Sequence, residues 1–447
     1  MTDPSLLFLG KVGIWYKACY NVCTGQWDIG GNDAMNEVQR IRDLAKETLE
    51  YAVSDEMNRR RKLWTDHNSL IFTRPPIYIR AIPWEEWPDV YKLTCQDPFL
   101  RGLEAEFLLN RYRMSIKNDD TIIEPFIAMR ASVAVAPEGV YGMPANLEEK
   151  AEGIKAARYK PALFEESDID KLYVLPHQVD EEKTKIQKVR YQETLNGILD
   201  VAVSRQGILC DMWQNDISTL IAKLRGLEQI MWDVYDNPEW LHKLAAWMRD
   251  RILEQIDQTE AAAGFRLNNH ENQAMPYCHE LMPPSASDMP VSTKQLWGYM
   301  AAQEYTTFGP QMFDEFMFQY QKPILERYAL TAYGCCEDLS KKIGIIKQLK
   351  NLRRIAVSPF ANIEECAQQI GGDYVLSWRP NPSSACSRGV DEDAVRRELR
   401  NAIRIFDENG CKWDITLKDL ETTSGDSGAI IRWTAIVREE LERHYGR

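Results

Sequence analysis

Tyr328-Ala329-Leu330-Thr331-Ala332-Tyr333-Gly334-Cys335-Cys336-Glu337 is the stretch from which fold and chemistry are read together. Its first six residues are apolar and β-friendly, and they predict a buried strand. A helical pattern ending in Pro323-Ile324-Leu325-Glu326-Arg327 precedes it. The strand opens into a glycine, two thiols and a carboxylate, and Asp338 and Lys341-Lys342 then begin a helix. Soft and hard donors placed together at a strand exit suit a thiolate-preferring ion such as zinc. Two other readings stand beside that one. Buried free cysteines act as small apolar side chains, and adjacent thiols form redox pairs.

Outward from this stretch, apolar runs alternate with helical patterns. Strands are expected at 75–82, 121–127, 197–203, 264–270, 328–333, 352–358, 373–378 and 413–417. Helices are expected at 34–61, 97–114, 217–234, 239–262, 294–327, 362–370, 392–409 and 430–444. Asn237-Pro238 is a helix stop and restart. Strands that alternate with helices pair in parallel, and eight such units predict an α/β protein, a (β/α)8 TIM barrel. The rival is an open doubly wound sheet. Residues 1–70 read as an N-terminal helical extension and 71–447 as the barrel, with a charged insertion near 142–185. No G-x-G-x-x-G or G-x-x-x-x-G-K follows any expected strand, so no dinucleotide or P-loop site is predicted.

The chain has 447 residues, a net charge of -13 and 10 cysteines without a short-domain framework. That charge argues against non-specific nucleic-acid binding. The longest apolar runs fall short of a membrane span. Leu6-Leu7-Phe8-Leu9 lacks a basic segment before it and is not read as a secretory signal. The scattered cysteines predict free thiols in a reducing cytoplasm.

In a barrel the chemistry sits where strands end. The expected strand ends carry Asn268-Asn269-His270-Glu271, Cys335-Cys336-Glu337, Ser358-Pro359, Arg379-Pro380-Asn381-Pro382 and Lys418-Asp419. Strand interiors are mostly apolar, and this concentration of polarity at one end points to an enzyme. Plainer readings apply to single residues. His270 is a structural histidine, His67 bonds to neighbouring Asp66, Lys418-Asp419 is an ion pair, and the tryptophans pack. Arg59-Arg60-Arg61-Lys62 is a solvated helix end.

Several pieces carry a resemblance: Leu224-Arg225-Gly226-Leu227-Glu228, Tyr235-Asp236-Asn237-Pro238-Glu239, Met312-Phe313-Asp314-Glu315-Phe316 and Gln319-Tyr320-Gln321-Lys322-Pro323-Ile324. From about residue 72 onward the chain resembles the uroporphyrinogen decarboxylase-like superfamily, which includes zinc-dependent methyltransferases that work with corrinoid proteins and thiols. Metal-binding members carry H-x-C at the end of this strand and a later cysteine. Here Tyr333-Gly334-Cys335 takes the H-x-C place, with tyrosine for histidine, and Cys386 lies near the later position. Unlike the decarboxylases, the chain continues Arg74-Pro75-Pro76 as Ile77-Tyr78-Ile79-Arg80.

The resemblance implies a zinc-dependent methyltransferase that moves a methyl group between a small substrate or thiol and a corrinoid protein. Its implied cofactors are Zn2+ and a methyl-corrinoid carried by the partner. A second copy of the chain is a further candidate partner. The implied metal ligands are Cys335, Cys336 and Glu337, with Cys386 or His279 completing the shell. His270, Lys418 and Asp419 are the implied catalytic residues, and Asn268, Asn269, Tyr333 and Arg379 hold substrate. One alternative is a metal-independent decarboxylase or lyase that grips carboxylates with Arg74, Arg80, Arg379 and Lys418. Another is a non-catalytic corrinoid or tetrapyrrole carrier, although no D-x-H-x-x-G motif is present.

Overall fold

The computed structural model describes residues 32–80, 82–134, 139–144, 159–386 and 389–446. Residues 1–31, in the expected extension, and 145–158, in the expected insertion, lie outside the described residues. Among the described residues there are eight short strands: β1 (Ile77–Ile79), β2 (Phe126–Arg130), β3 (Asp200–Ser204), β4 (Trp297–Met300), β5 (Leu330–Tyr333), β6 (Leu352–Val357), β7 (Val375–Trp378) and β8 (Lys412–Leu417). All ladders are parallel. Six strands form one sheet in the order β1-β8-β7-β6-β5-β4, and β2 pairs with β3 separately. The first strand therefore lies beside the last, as a barrel requires. Among the described residues no ladder joins β1 to β2 or β3 to β4.

The element boundaries follow local chemistry. The expected 34–61 helix is two helices, α1 (Asn32–Ala52) and α2 (Asp55–Asn68). Ser54 separates them, and its side chain accepts the Met57 N–H at 3.3 Å as a helix cap. Helix α3 (Pro98–Ser115) starts on Asp97, whose carboxylate accepts from Phe99 and Leu100 N–H, with proline at the first position. Among the described residues no helix is long and apolar enough to cross a membrane.

Two expected strands were misplaced. Residues 264–270 are not a strand, and β4 lies at Trp297–Met300, inside the stretch expected to be helical. Asn269 explains the first error. Its side chain accepts the Arg266 N–H at 2.8 Å, and its own N–H returns to the Arg266 carbonyl at 3.0 Å. That local turn replaces a ladder. The second strand begins at Phe126 rather than Thr121. Upstream, the carbonyls of Thr121 and Ile123 accept from Arg60 and Arg61 of α2 and so are diverted from a ladder.

The sheet has two unlike faces. Ile355, Val357, Leu376, Trp378, Trp413, Ile415 and Leu417 belong to the main apolar cluster shared with the surrounding helices. Arg354, Ser377, Asp414 and Thr416 alternate with them and are also buried. Arg354 Nη2 donates to Asp414 Oδ2 at 2.8 Å, and Ser377 Oγ donates to Asp414 Oδ1 at 2.9 Å. The end of α2 completes this network. His67 Nε2 lies 3.2 Å from Asp414 Oδ2, and Asn68 Oδ1 accepts from Arg354 Nη1 at 2.6 Å. His67 thus bonds to Asp414 rather than to Asp66, which pairs with Lys62 and His279.

This network should dominate stability. Asp414→Ala leaves a buried guanidinium unpaired and is expected to cost about 3–5 kcal/mol. Asp414→Asn should cost less, and urea unfolding reads both as lower midpoints. Burial presses the His67 imidazole below its usual range. Despite burial, the charge of Arg354 holds Asp414 down at about 2. Both folded values lie below the unfolded ones. Stability should therefore fade on acidification, first below about pH 6.5 through His67, then from about 3.9 down through Asp414. An Asp414→Ala protein with the wild-type midpoint would remove the network from this role.

Candidate active site

Because the ladders are parallel, the strand exits lie along one edge of each sheet, and β5 and β8 exit on that same edge with β6 and β7 between them. Gly334 follows β5 with φ +99, in the left-handed region. A Cβ there would be strained by that φ and would also press on the Leu339 Cδ1 at 2.6 Å and the Ala356 Cβ at 3.1 Å. The turn brings the two sulfurs of Cys335 and Cys336 to 3.7 Å from each other. From β8, Lys418 Nζ reaches the Cys335 sulfur at 2.8 Å and the Cys336 sulfur at 3.1 Å. Asp419, next in the chain, accepts from Cys336 at 3.1 Å and lies 3.2 Å from the Lys418 ammonium.

A second layer fixes the thiols. From the end of β7, Arg379 donates to the Cys335 carbonyl and, at 3.2 Å, to the Gly334 carbonyl. Its other terminal nitrogen reaches Gln273 Oε1 at 3.1 Å. The Gln273 amide donates to the Tyr299 hydroxyl and lies 3.6 Å from the Cys335 sulfur. Gln273 and Asp419 both have positive φ, +59 and +56, and neither is glycine. Such strain persists only where surrounding contacts impose it. Arg80, after β1, donates to the Gln273 carbonyl at 3.1 Å and lies over the Trp213 ring.

The hydrogen bond from Cys336, with the charges of Lys418 and Arg379, holds the Cys335 thiol well below the usual thiol range despite burial. The same bond pushes Cys336 up. The pair therefore shares one proton. Cys335 is the thiolate against Lys418, and Cys336 keeps the proton, with the Cys335 sulfur and an Asp419 oxygen both in its reach. This is an ammonium-stabilised sulfur nucleophile, lined on one side by Met212 and Tyr299.

The other expected residues are placed as follows. Both Glu337 oxygens accept backbone N–H groups at 2.8 Å, from Ala302 and from Cys335, so this carboxylate braces the turn. The Tyr333 hydroxyl donates to Gln321 at 2.6 Å, and its ring packs on Phe313 and Phe318. Cys386 is buried in the main apolar cluster, and its thiol is pushed up to about 12. His279 pairs with Asp66 at 3.1 Å beside the end of α2. His270 spans the Met282 carbonyl and the Trp297 N–H, and burial lowers it to about 4. Asn269 holds Ser204 at 2.8 Å, and both amide atoms of Asn268 are buried without a partner. Arg74 pairs with Asp120. Sequence reasoning missed Gln273 and Tyr299. Tyr299 lies on the strand that had been read as helix, and nothing in the sequence marks Gln273.

The expected zinc shell does not assemble. Two thiolates on one tetrahedral zinc, with bonds of about 2.3 Å, stand about 3.8 Å apart. The sulfur spacing is therefore suitable, but an ammonium stands where the ion would. Among the described residues no group of three or more His, Cys, Asp or Glu side chains is placed to hold a metal. Wild-type protein purified under reducing conditions should accordingly bind less than one zinc per chain. Lys418→Cys removes the cation and adds a third thiolate, so it should raise zinc content toward one per chain by elemental analysis. Stoichiometric zinc in the wild type, lost in Cys335→Ser, would show that Lys418 moves aside for the ion.

No protein-family profile matches this chain. No curated protein sequence matches it. Among solved structures, it is similar to a methyltransferase from Methanosarcina mazei, with 9% identity over 86% of this chain and 98% of that one, and a TM-score of 0.47. Similarity of that degree establishes neither family nor activity.

Proposed function

We propose that the chain is a methyltransferase for a small molecule, with Cys335 as the reacting nucleophile. The observation that carries this reading is the Lys418 ammonium set against both sulfurs of the dithiol. A thiolate is a soft nucleophile suited to a saturated carbon, and a cation in contact keeps it ionised in a buried place. The choice of methyl among transferable groups is supported by the sequence resemblance, and a methyl-corrinoid protein is the proposed carrier.

The step is a displacement. The Cys335 lone pair attacks the methyl carbon and an S–C bond forms. The bond from that carbon to the carrier atom breaks, and its electron pair stays with the carrier. Arg379 and Gln273 hold the turn and the sulfur still, and Lys418 neutralises the charge that the thiolate carries before attack. Cys336 stays protonated throughout: its S–H lies in reach of the Cys335 thiolate before attack and is left to Asp419 once that sulfur is alkylated.

Incubation with methylcobalamin, followed by peptide mass spectrometry, tests the reading. Methyl should appear on Cys335 in the wild type and be absent in Cys335→Ser. Lys418→Met removes the cation, raises the thiol pKa and lowers the thiolate fraction, so it should slow the reaction about tenfold or more at neutral pH. Methyl on neither cysteine, or an unchanged rate in Lys418→Met, would refute the assignment.

A further inference from the structure

The displacement gives Cys336 no bond to make. Its sulfur nevertheless lies 3.7 Å from that of Cys335, held there by the turn that Gly334 allows and Glu337 braces. Among the described residues Cys336 is the one cysteine that is not buried. Asp419, in contact with it at 3.1 Å, has a side chain 58% exposed, so this flank of the pair meets solvent. Cys335, by contrast, is 5% exposed and touches the Lys418 ammonium at 2.8 Å. A sulfur in contact with a cation, with a second thiol in reach and an open flank, is the arrangement that oxidants attack selectively.

We infer that Cys335 and Cys336 form a site of reversible oxidation by hydroperoxides, in which Cys336 is the resolving thiol for Cys335. This rests on the reading of Cys335 as the reacting nucleophile. In the first step the Cys335 sulfur attacks one peroxide oxygen. An S–O bond forms and the O–O bond breaks, so the sulfur is oxidised to a sulfenic acid and the peroxide is reduced. The hydroxide that leaves takes a proton from Lys418, which solvent restores. In the second step the Cys336 sulfur attacks the Cys335 sulfur. An S–S bond forms, the S–OH bond breaks, and the hydroxide leaves with the Cys336 proton as a second water. The sulfurs close from 3.7 Å to about 2.05 Å. Consecutive Cα atoms are about 3.8 Å apart, less than the separation of about 4.4 Å at which ordinary disulfides begin. The closed ring is therefore strained, and a strained disulfide is readily reduced. The bond blocks the nucleophile and spares it from higher oxidation. It reopens with two equivalents of a small thiol, which leave joined as their own disulfide.

The tryptic peptide from Tyr328 to Lys341 contains both cysteines and no other, so its mass reports the site. After stoichiometric hydrogen peroxide and then iodoacetamide, the wild-type peptide should be about 2 Da lighter than its reduced form and carry no label. Dithiothreitol should restore labelling of both thiols. In Cys336→Ser the peptide should instead gain about 32 Da, as Cys335 proceeds to sulfinic acid, and dithiothreitol should not reverse the gain. If Cys336→Ser does not fold, the reversibility of the wild-type change decides. Sulfinic acid on Cys335 as the main wild-type product overturns the inference, as do two thiols that remain fully labelled after peroxide. Methylcobalamin separates this inference from the reading beneath it. If reduced wild type takes no methyl on Cys335, the nucleophile assignment fails, while the mass change still decides the oxidation. If it takes methyl, peroxide should abolish the uptake and dithiothreitol restore it, and uptake that survives oxidation overturns the block.

Discussion

An ammonium taken out of water must be met by negative charge. Lys418 is 5% exposed, and its Nζ lies within hydrogen-bonding reach of two sulfurs and one carboxylate. The desolvation cost of that charge is far greater against two neutral thiols than against a thiolate. The cation therefore favours the thiolate, and the Asp419 carboxylate supplies further counter-charge. The rest of the mouth serves that pair. Gly334 turns the chain so that both sulfurs face Lys418, Glu337 ties down the turn, and Arg379 grips its carbonyls.

The same rule governs the opposite end of the sheet. Arg354 and Asp414 are buried between strands and answer each other, with Ser377, His67 and Asn68 satisfying the remaining atoms. The sheet thus has an apolar face toward its helices and a polar face with paired charges. The thiol pair and the Arg354–Asp414 pair are separate solutions to one problem, the first left reactive and the second closed on all sides.

Much of the architecture was legible because apolar runs bounded by turn residues persist in sequence. β1, β3, β5, β6, β7 and β8 fall where the runs are, as do most of the long helices, but the expected 294–327 helix is broken into short pieces around β4 and Glu181–Leu195 is a helix that was not expected. β4 was illegible because four residues carry no period, and the Asn268-Asn269-His270 run upstream looked more like a strand exit than the turn it is. At the site, the cysteines and Lys418 could be read as strand-end residues. Their mutual contact could not, since it depends on the order of strands in space. Glu337 misled for a physical reason. A carboxylate beside thiols resembles a ligand in sequence, but the backbone N–H groups of its own turn and of Ala302 are nearer. Gln273 acts only through its strained backbone and its reach, which have no sequence signature.

The seating of α2 on the sheet interior has a consequence for biosynthesis. His67 bonds to Asp414, a partner 347 residues later in the chain. While the ribosome is still at work, α2 can meet the Thr121 and Ile123 carbonyls but the partners of His67 and Asn68 on β6 and β8 are missing, and the polar face of the growing sheet is open to water. Loop closure over such a span is slow compared with local helix formation. The emerging polypeptide must hold an unfinished sheet until its last strand is released. The end of an early helix then docks against the last strand of the sheet.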